Sequence, residues 1–268
     1  MSSDPSQSTP GSLVILPVLN EEVHVRPLLS GIARELAGVS HDILLIDDGS
    51  RDNTVALIRQ AMKINRRLHL MQREKKTRGS QRGGALKAGL DWGLAHTRHN
   101  IFIEMDGDLS HRAEELRTGL DLVGSGACDV AIASKYVAGS KVLGRPLGRR
   151  LVSLLCGLAV RTVISRQVRD YSNGYRFYSR RAAQLVADTY IAYSSPIYLS
   201  EVLALWLRRG LCVREFPCTY VGRQEGLSNL RPIDLLKASL AVFEIGWRYH
   251  VAGFRSAALP GCARAKAA

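Results

Sequence analysis

The sequence is poor in the features that mark several protein classes. Aromatic residues fill only 6% of its 268 positions. Its five cysteines (Cys128, Cys156, Cys212, Cys218 and Cys262) are odd in number and form no CxxC pair. That argues against a disulfide scaffold or a zinc site and fits a reducing compartment. No unbroken apolar run reaches the ~18 residues of a spanning helix, so none is expected. The opening MSSDPSQSTPG has neither a basic n-region nor an apolar h-region, so no secretory signal is expected. Acidic residues are also short, at 24 Asp and Glu against 37 Lys and Arg, a formal net charge of +13. What remains is ordinary for a globular chain, 46% hydrophobic and 23% charged. Wholesale disorder is excluded, and the length suits one larger domain or a domain with an appendage.

The positive charge is unevenly spread. From Lys141 to Arg181 there are ten basic residues (Lys141, Arg145, Arg149, Arg150, Arg161, Arg166, Arg169, Arg176, Arg180, Arg181) and one acid, Asp170. A solvated Arg-rich face is the plain reading. Nucleic acid is not expected, because no helix-turn-helix, RRM, KH or zinc-finger spacing appears. Inside this stretch lies LVSLLCGLAV, Leu151 to Val160, flanked by Arg149, Arg150 and Arg161. It is too short to span a bilayer but suits either a helix lying among lipid headgroups or a buried core helix.

Residues 1–11 are Ser- and Pro-rich and read as a disordered lead. Short β-branched or apolar runs then alternate with helical patterns. Strands are expected at Leu13–Val18, His41–Asp48, Leu68–Gln72, Asn100–Met105 and Asp129–Ser134. Helices fall between them, near Glu21–Leu36, Asn53–Ile64, Gly83–Ala95 and Arg112–Val123. This alternation implies βαβ units around a buried, mostly parallel sheet with helices on both faces. Further on we expect a basic helix at Leu147–Ile164, a strand at Tyr175–Tyr178, a helix at Pro196–Arg209 and a strand at Cys212–Tyr220. A last amphipathic helix starts near Ser228, over 228–255, with Leu236, Leu240, Phe243 and Trp247 as a stripe that suits either core or membrane. The small, basic tail 256–268 reads as disordered, which leaves 12–227 as the main domain.

In such sheets ligands gather beyond the carboxyl ends of the strands. Asp47/Asp48 and Asp106/Asp108 both stand at strand ends. Two carboxylates separated by one residue, as in Asp106-Gly107-Asp108, can serve one hard divalent cation whose other ligands are waters and substrate phosphates. Asp and Gly also form turns without any metal. The Gly79/Gly83/Gly84 cluster lacks the GKS/T of a phosphate loop and reads as a flexible loop over a ligand. His111 reads as a helix-start residue.

Taken together, VILPVLNEE (Val14–Glu22), ILLIDDGSRDNT (Ile43–Thr54), RGSQRGGALKAG (Arg78–Gly89) and FIEMDGDLSH (Phe102–His111) resemble family 2 glycosyltransferases. These are inverting enzymes with the GT-A fold. ASKYVAGSKVLGRPLGRRLVS, RDYSNGYRFYSRRA and VGRQEGLSNL, in that order, resemble the dolichyl- and polyprenyl-phosphate mannosyltransferases. The resemblance spans roughly Leu13 to Trp247. It implies a single GT-A-type, Rossmann-like domain with a basic, membrane-facing C-terminal part. Pro17, Asn20 and Glu21 would line a nucleoside pocket, with Asp48 and Asp47 at base or ribose. Asp106 and Asp108 would hold Mg²⁺ or Mn²⁺ against the donor diphosphate. Where some relatives add a Gln ligand this chain has Ser110, so water would complete the shell. Lys135 stands where an Arg faces a phosphate, which keeps the charge and loses the bidentate fork. Arg149 would sit near the phosphates, and Arg223 with Ser228 in a loop over the donor. Asn229 replaces a Lys of that loop.

The implied reaction is transfer of a hexose, mannose from GDP-mannose first, from a nucleotide-sugar donor to a polyprenyl-phosphate acceptor. It would take place at the cytoplasmic face of a membrane, with room for an anchoring partner subunit. Another donor (UDP-glucose or UDP-galacturonate), a saccharide acceptor, or a non-catalytic nucleotide-sugar or lipid-binding protein are the alternatives. The chemistry discriminates in principle. A departing nucleoside diphosphate needs cationic partners. An alcohol acceptor also needs a general base, for which Glu201 is the candidate, whereas a lipid phosphate is already anionic and needs basic residues beside an apolar channel. Lys135, Arg149, Arg150, Arg169 and Arg176, next to Leu151–Val160, offer that combination. The plain alternative for Glu201 is a solvated acid at a helix N-terminus.

Overall fold

The computed structural model describes residues 11–74, 82–144, 157–158, 160–222 and 240–251. The first half alternates as expected: β1 (Ser12–Val18), α1 (Val25–Glu35), β2 (His41–Asp47), α2 (Thr54–Met62), β3 (Leu68–Gln72), α3 (Arg82–His96) and β4 (Ile101–Glu104). A 3₁₀ turn at Ala113–Glu115 leads into α4 (Leu116–Gly124), followed by β5 (Val130–Ser134) and a short β6 (Lys141–Leu143). Then come β7 (Arg176–Ser179), α5 (Arg180–Ala187), α6 (Tyr198–Arg208), β8 (Val213–Pro217) and β9 (Thr219–Val221). Residues 240–246 are helical and run into a π turn at Trp247–Val251.

Seven strands form one sheet in the order β3-β2-β1-β4-β7-β5-β8. All pairings are parallel except those of β7, which runs against both β4 and β5. Side chains alternate across each strand, and both faces are covered. Leu13, Ile15, Leu44, Ile46 and Phe102 pack with Leu86 and Leu90 of α3 and with α5 and α6. Val14, Leu16, Ile43, Leu45 and Ile103 pack on the other face with α1, α2 and α4 through Leu28, Ile32, Ile58 and Leu116. Two-sided burial is why β1 and β2 read as continuous apolar runs rather than alternating ones.

Three features differ from the sequence reading. Helix α5 was not expected: Ala182, Ala183 and Val186 make its buried face, and Ser179 Oγ caps it by accepting from the Ala182 N–H. The strand expected at Cys212–Tyr220 is two strands. β8 closes the main sheet at Pro217, which has no N–H to extend a ladder, and β9 leaves to pair with β6 in a separate two-stranded sheet. Gly83 and Gly84 lie in the first turns of α3, not in a flexible loop. A Cβ at Gly83 would fall 2.6 Å from Tyr198 Cβ, so the glycine lets α3 approach α6 closely. Most of the expected helix at 147–164, and the start of the one at Ser228, lie outside the described residues.

Candidate active site

The strand order reverses at β1, with β2 and β3 on one side and β4 on the other, so the crevice between the ends of β1 and β4 is where a ligand fits. The sequence places Asp106-Gly107-Asp108 there. Met105 N–H still donates to Ile15 O (3.2 Å), after which the chain turns away. Gly107 permits the turn: a Cβ on it would lie 2.9 Å from Val18 Cγ1 and 3.1 Å from Pro17 O. Leu109 follows with φ of 61°, a left-handed conformation that costs energy for a branched side chain and recurs at functional sites. Asp108 accepts from Ser110 N–H (3.1 Å), which braces the turn.

Behind the turn, His111 is buried and locks Asp106 in place. Its Nδ1 accepts from Asp106 N–H (3.0 Å), so Nε2 carries the proton and donates to Asn173 Oδ1 (2.9 Å). The ring stacks on Tyr175, with centroids 4.9 Å apart. Burial, then the positive charge of Arg82, hold its pKa far below the ordinary imidazole value, so it is neutral. His111 is therefore an interior brace rather than the helix-start residue expected.

The residues that follow β1 and β2 hold one another through a network of hydrogen bonds. Asn20, with φ of 56°, donates its N–H to Ser50 Oγ (2.9 Å) and accepts from Arg51 N–H (2.8 Å). Glu21 is buried; its N–H donates to Thr54 Oγ1 (2.8 Å) and its carboxylate meets His24 (2.6 Å). Asp47 is buried and accepts from Ser50 N–H (3.0 Å) and Gly49 N–H (3.3 Å), shaping the β2–α2 loop from within. Asp48 is partly open and pairs with Arg73 (3.1 Å). Pro17 lies at the end of β1, partly open. The structure thus places Pro17, Asn20, Asp48, Asp106 and Asp108 at the carboxyl ends of β1, β2 and β4 and gives Asp47 and Glu21 structural partners.

Several basic residues fare differently. Lys135, just past β5, is buried, and its Nζ pairs with Asp170 (3.3 Å) and lies 5.2 Å from the centroid of Tyr220. Asp170 also accepts from the N–H groups of Lys135, Ser172 and Asn173. Arg176, expected in a phosphate clamp, is wholly buried on β7 and donates to the carbonyls of Asn173, Leu199 and Tyr171. It closes the turns around the site and cannot reach a ligand. Arg169 is exposed, its guanidinium directed to Tyr136 O (3.5 Å). Glu201 is not solvated. It is fully buried, accepts from Ala192 N–H (3.1 Å) and Tyr193 N–H (3.0 Å), and pairs with Arg248 (2.8 Å). It ties α6 to the terminal helix. Arg149, Arg150, Arg223 and Ser228 lie outside the described residues. β9 ends two residues short of Arg223, with Val221 N–H donating to Ser110 O (3.3 Å).

Two residues at the centre were not singled out from the sequence. Arg82, at the start of α3, forms an ion pair with Asp106 and donates to Gly174 O (3.4 Å). Glu104, at the end of β4, is buried and accepts from Tyr178 Oη (2.6 Å) and Tyr198 Oη (3.2 Å). Burial pushes its pKa above the ordinary value against the pull of Arg176 and Arg82. A charged residue inside an apolar strand, NIFIEM, was the available signal for Glu104. Arg82 gave none, because nothing local fixes a partner at the far end of another strand.

Among the described residues no group of three or more His, Cys, Asp or Glu side chains could hold a metal by itself. Two adjacent carboxylates at a strand end still suit a hard cation that takes its other ligands from water and phosphate. Ser110 Oγ, buried beside Asp108 without a hydrogen-bond partner, is a polar atom that a coordinated water would satisfy.

An α/β fold with an acidic pair at its topological switch point places two carboxylates where sheets of this kind take their ligands. The model of glycosyl transferase family 2 matches residues 13–186. The chain belongs to that family and is a glycosyltransferase. It is 35% identical over 247 residues to polyprenol monophosphomannose synthase of Mycolicibacterium smegmatis, covering 91% of this chain and 89% of that one. To undecaprenyl-phosphate mannosyltransferase of Micrococcus luteus it is 32% identical, covering 81% and 86%. Among solved structures, glucosyl-3-phosphoglycerate synthase of Mycobacterium tuberculosis, in complex with Mn²⁺ and UDP, aligns with a TM-score of 0.61. At 19% identity over 93% of this chain and 86% of that one, it shares the fold.

Proposed function

We propose that this protein transfers a mannosyl group from a nucleotide sugar, GDP-mannose first, to a polyprenyl phosphate with inversion. The observation that carries the reading is the likeness, over nearly the whole chain, to a polyprenol monophosphomannose synthase. The geometry supports it at one point. Glu201, the residue an alcohol acceptor would use as a base, is committed to structure. An acceptor that arrives as an anion needs no base.

In this reading Asp106 and Asp108 hold a divalent cation, Mg²⁺ or Mn²⁺, which when bound supplies charge against the departing diphosphate. The chain's own part is positioning. His111 and Ser110 fix the two carboxylates, Asn20 and Asp48 face the nucleoside, and Lys135, held by Asp170, adds positive potential at the end of β5. Arg149, Arg223 and Ser228 remain assigned to the phosphates and the loop over the donor. Membrane attachment on the cytoplasmic face, by the basic C-terminal part or an anchoring subunit, brings the enzyme to its lipid. The test is a donor screen with polyprenyl phosphate and Mn²⁺, reading the released nucleotide. GDP released from GDP-mannose only when lipid phosphate is present is the expected result. Release with UDP-glucose or with a saccharide acceptor selects the corresponding alternative, and no turnover with any donor leaves a binding protein.

A further inference from the structure

Arg82 sits in an unusual place for a cation. Its guanidinium pairs with Asp106 at the very carboxylate that would hold a metal, and the charges of Glu104 and Asp108 also favour its charged form against burial. One face of the group remains unsatisfied: Nε is buried with no hydrogen-bond partner, while the Gly174 carbonyl takes only a long bond, 3.4 Å. The backbone beneath it cannot drift, because Gly83 N–H donates to Ser194 O (2.8 Å) and packs against Tyr198. Arg82 is therefore fixed at its base and incompletely satisfied at its head.

We propose that Arg82 is a built-in counter-cation of the Asp106–Asp108 pair, which a divalent ion must displace. The free protein then holds metal weakly, and affinity rises when a diphosphate gives the guanidinium another partner. Two cations cannot share Asp106 without strong mutual repulsion in a partly buried site. A guanidinium is suited to either state, since its planar fork matches carboxylate and phosphate alike. Glu104 ends β4, two residues before Asp106. With one carboxylate oxygen free of hydrogen bonds, it keeps a displaced Arg82 inside the site. Metal and donor would thus bind together rather than in sequence.

This inference rests on the metal-dependent reading above, and its test separates the two. Mn²⁺ binding is measured by the EPR signal of the free ion, without nucleotide, for the wild type and Arg82→Gln. Removing a like charge next to the ligands should tighten Mn²⁺ binding by ~10-fold or more. Adding GDP or UDP should strengthen Mn²⁺ binding to the wild type by a larger factor than to the variant. Arg82→Met, which keeps the apolar stem, repeats the measurement if the Gln variant does not fold. Equal or weaker Mn²⁺ affinity in the folded variants overturns the role of Arg82 while leaving the metal in place. No Mn²⁺ bound by any form, even with nucleotide, overturns the metal-dependent reading and this inference with it.

Discussion

Asp108 and Asp170 show how differently two carboxylates of one molecule are used. Asp108 is partly open at the carboxyl end of the sheet and accepts from Ser110 N–H. Asp108→Asn should leave the fold intact and cut turnover by more than ~100-fold, as loss of single electrostatic groups does elsewhere, measured as nucleotide release at saturating Mn²⁺. Asp170 is interior. Burial raises its pKa, but Lys135 and three backbone donors outweigh that and hold it below 3.8. A carboxylate with a depressed folded pKa contributes stability above its unfolded value, and that stability is lost as pH falls through the folded one. Asp170→Asn should therefore cost about 3–5 kcal/mol at pH 7, since it strands a buried ammonium. In urea titrations the gap to wild type should narrow as pH drops below about 4. The acidic pair was legible in the sequence because strand ends announce themselves. The assignments of Arg176 and Glu201 failed because composition gives a residue's charge but not whether backbone carbonyls or N–H groups already claim it.

At the level of elements, α3 is the part that presents Arg82 and covers the centre of the sheet. It can lie so close because of its glycines: a Cβ at Gly89 would fall 2.6 Å from Ile15 Cγ2 and 2.7 Å from Ile46 Cδ1. Gly89→Ala should improve intrinsic helix propensity yet destabilise the protein by about 1–3 kcal/mol through overpacking, read as a lower urea midpoint with unchanged slope. The parallel units from β1 to β5 were readable because each buries two faces and so carries a strong apolar run. β6 and β9 carry no such signal. Each is three residues long, exposed or half-buried, and defined only by a partner some eighty positions away. α5 was hidden for a related reason, since its two leading arginines mask a face made of alanines and one valine.

The whole molecule combines a charge of +13 with an apolar face that nothing among the described residues covers. On the terminal helix Val242, Ile245 and Tyr249 enter the core, whereas Leu240, Phe243 and Trp247 are 62%, 62% and 64% exposed. Of the two readings open for that stripe, burial in the core is thus removed for these three residues. No described helix is long and apolar enough to cross a membrane. An enzyme with a lipid-borne acceptor must meet its substrate at a surface, and a basic molecule with one exposed aromatic-apolar stripe is equipped to do so. The protein should sediment with vesicles of anionic phospholipid at low ionic strength and be released as salt shortens the screening length. Leu240→Ser with Trp247→Ser should weaken sedimentation several-fold at fixed salt, by removing interfacial apolar area, while changing the thermal midpoint little because both residues are mostly exposed. If the double variant sediments as well as the wild type and salt alone decides the outcome, the attachment is purely electrostatic and the stripe has another occupant. If neither protein sediments at any salt, the acceptor must be delivered by a partner subunit or must not be a membrane lipid. A saccharide acceptor in the donor screen would then be the next result to look for.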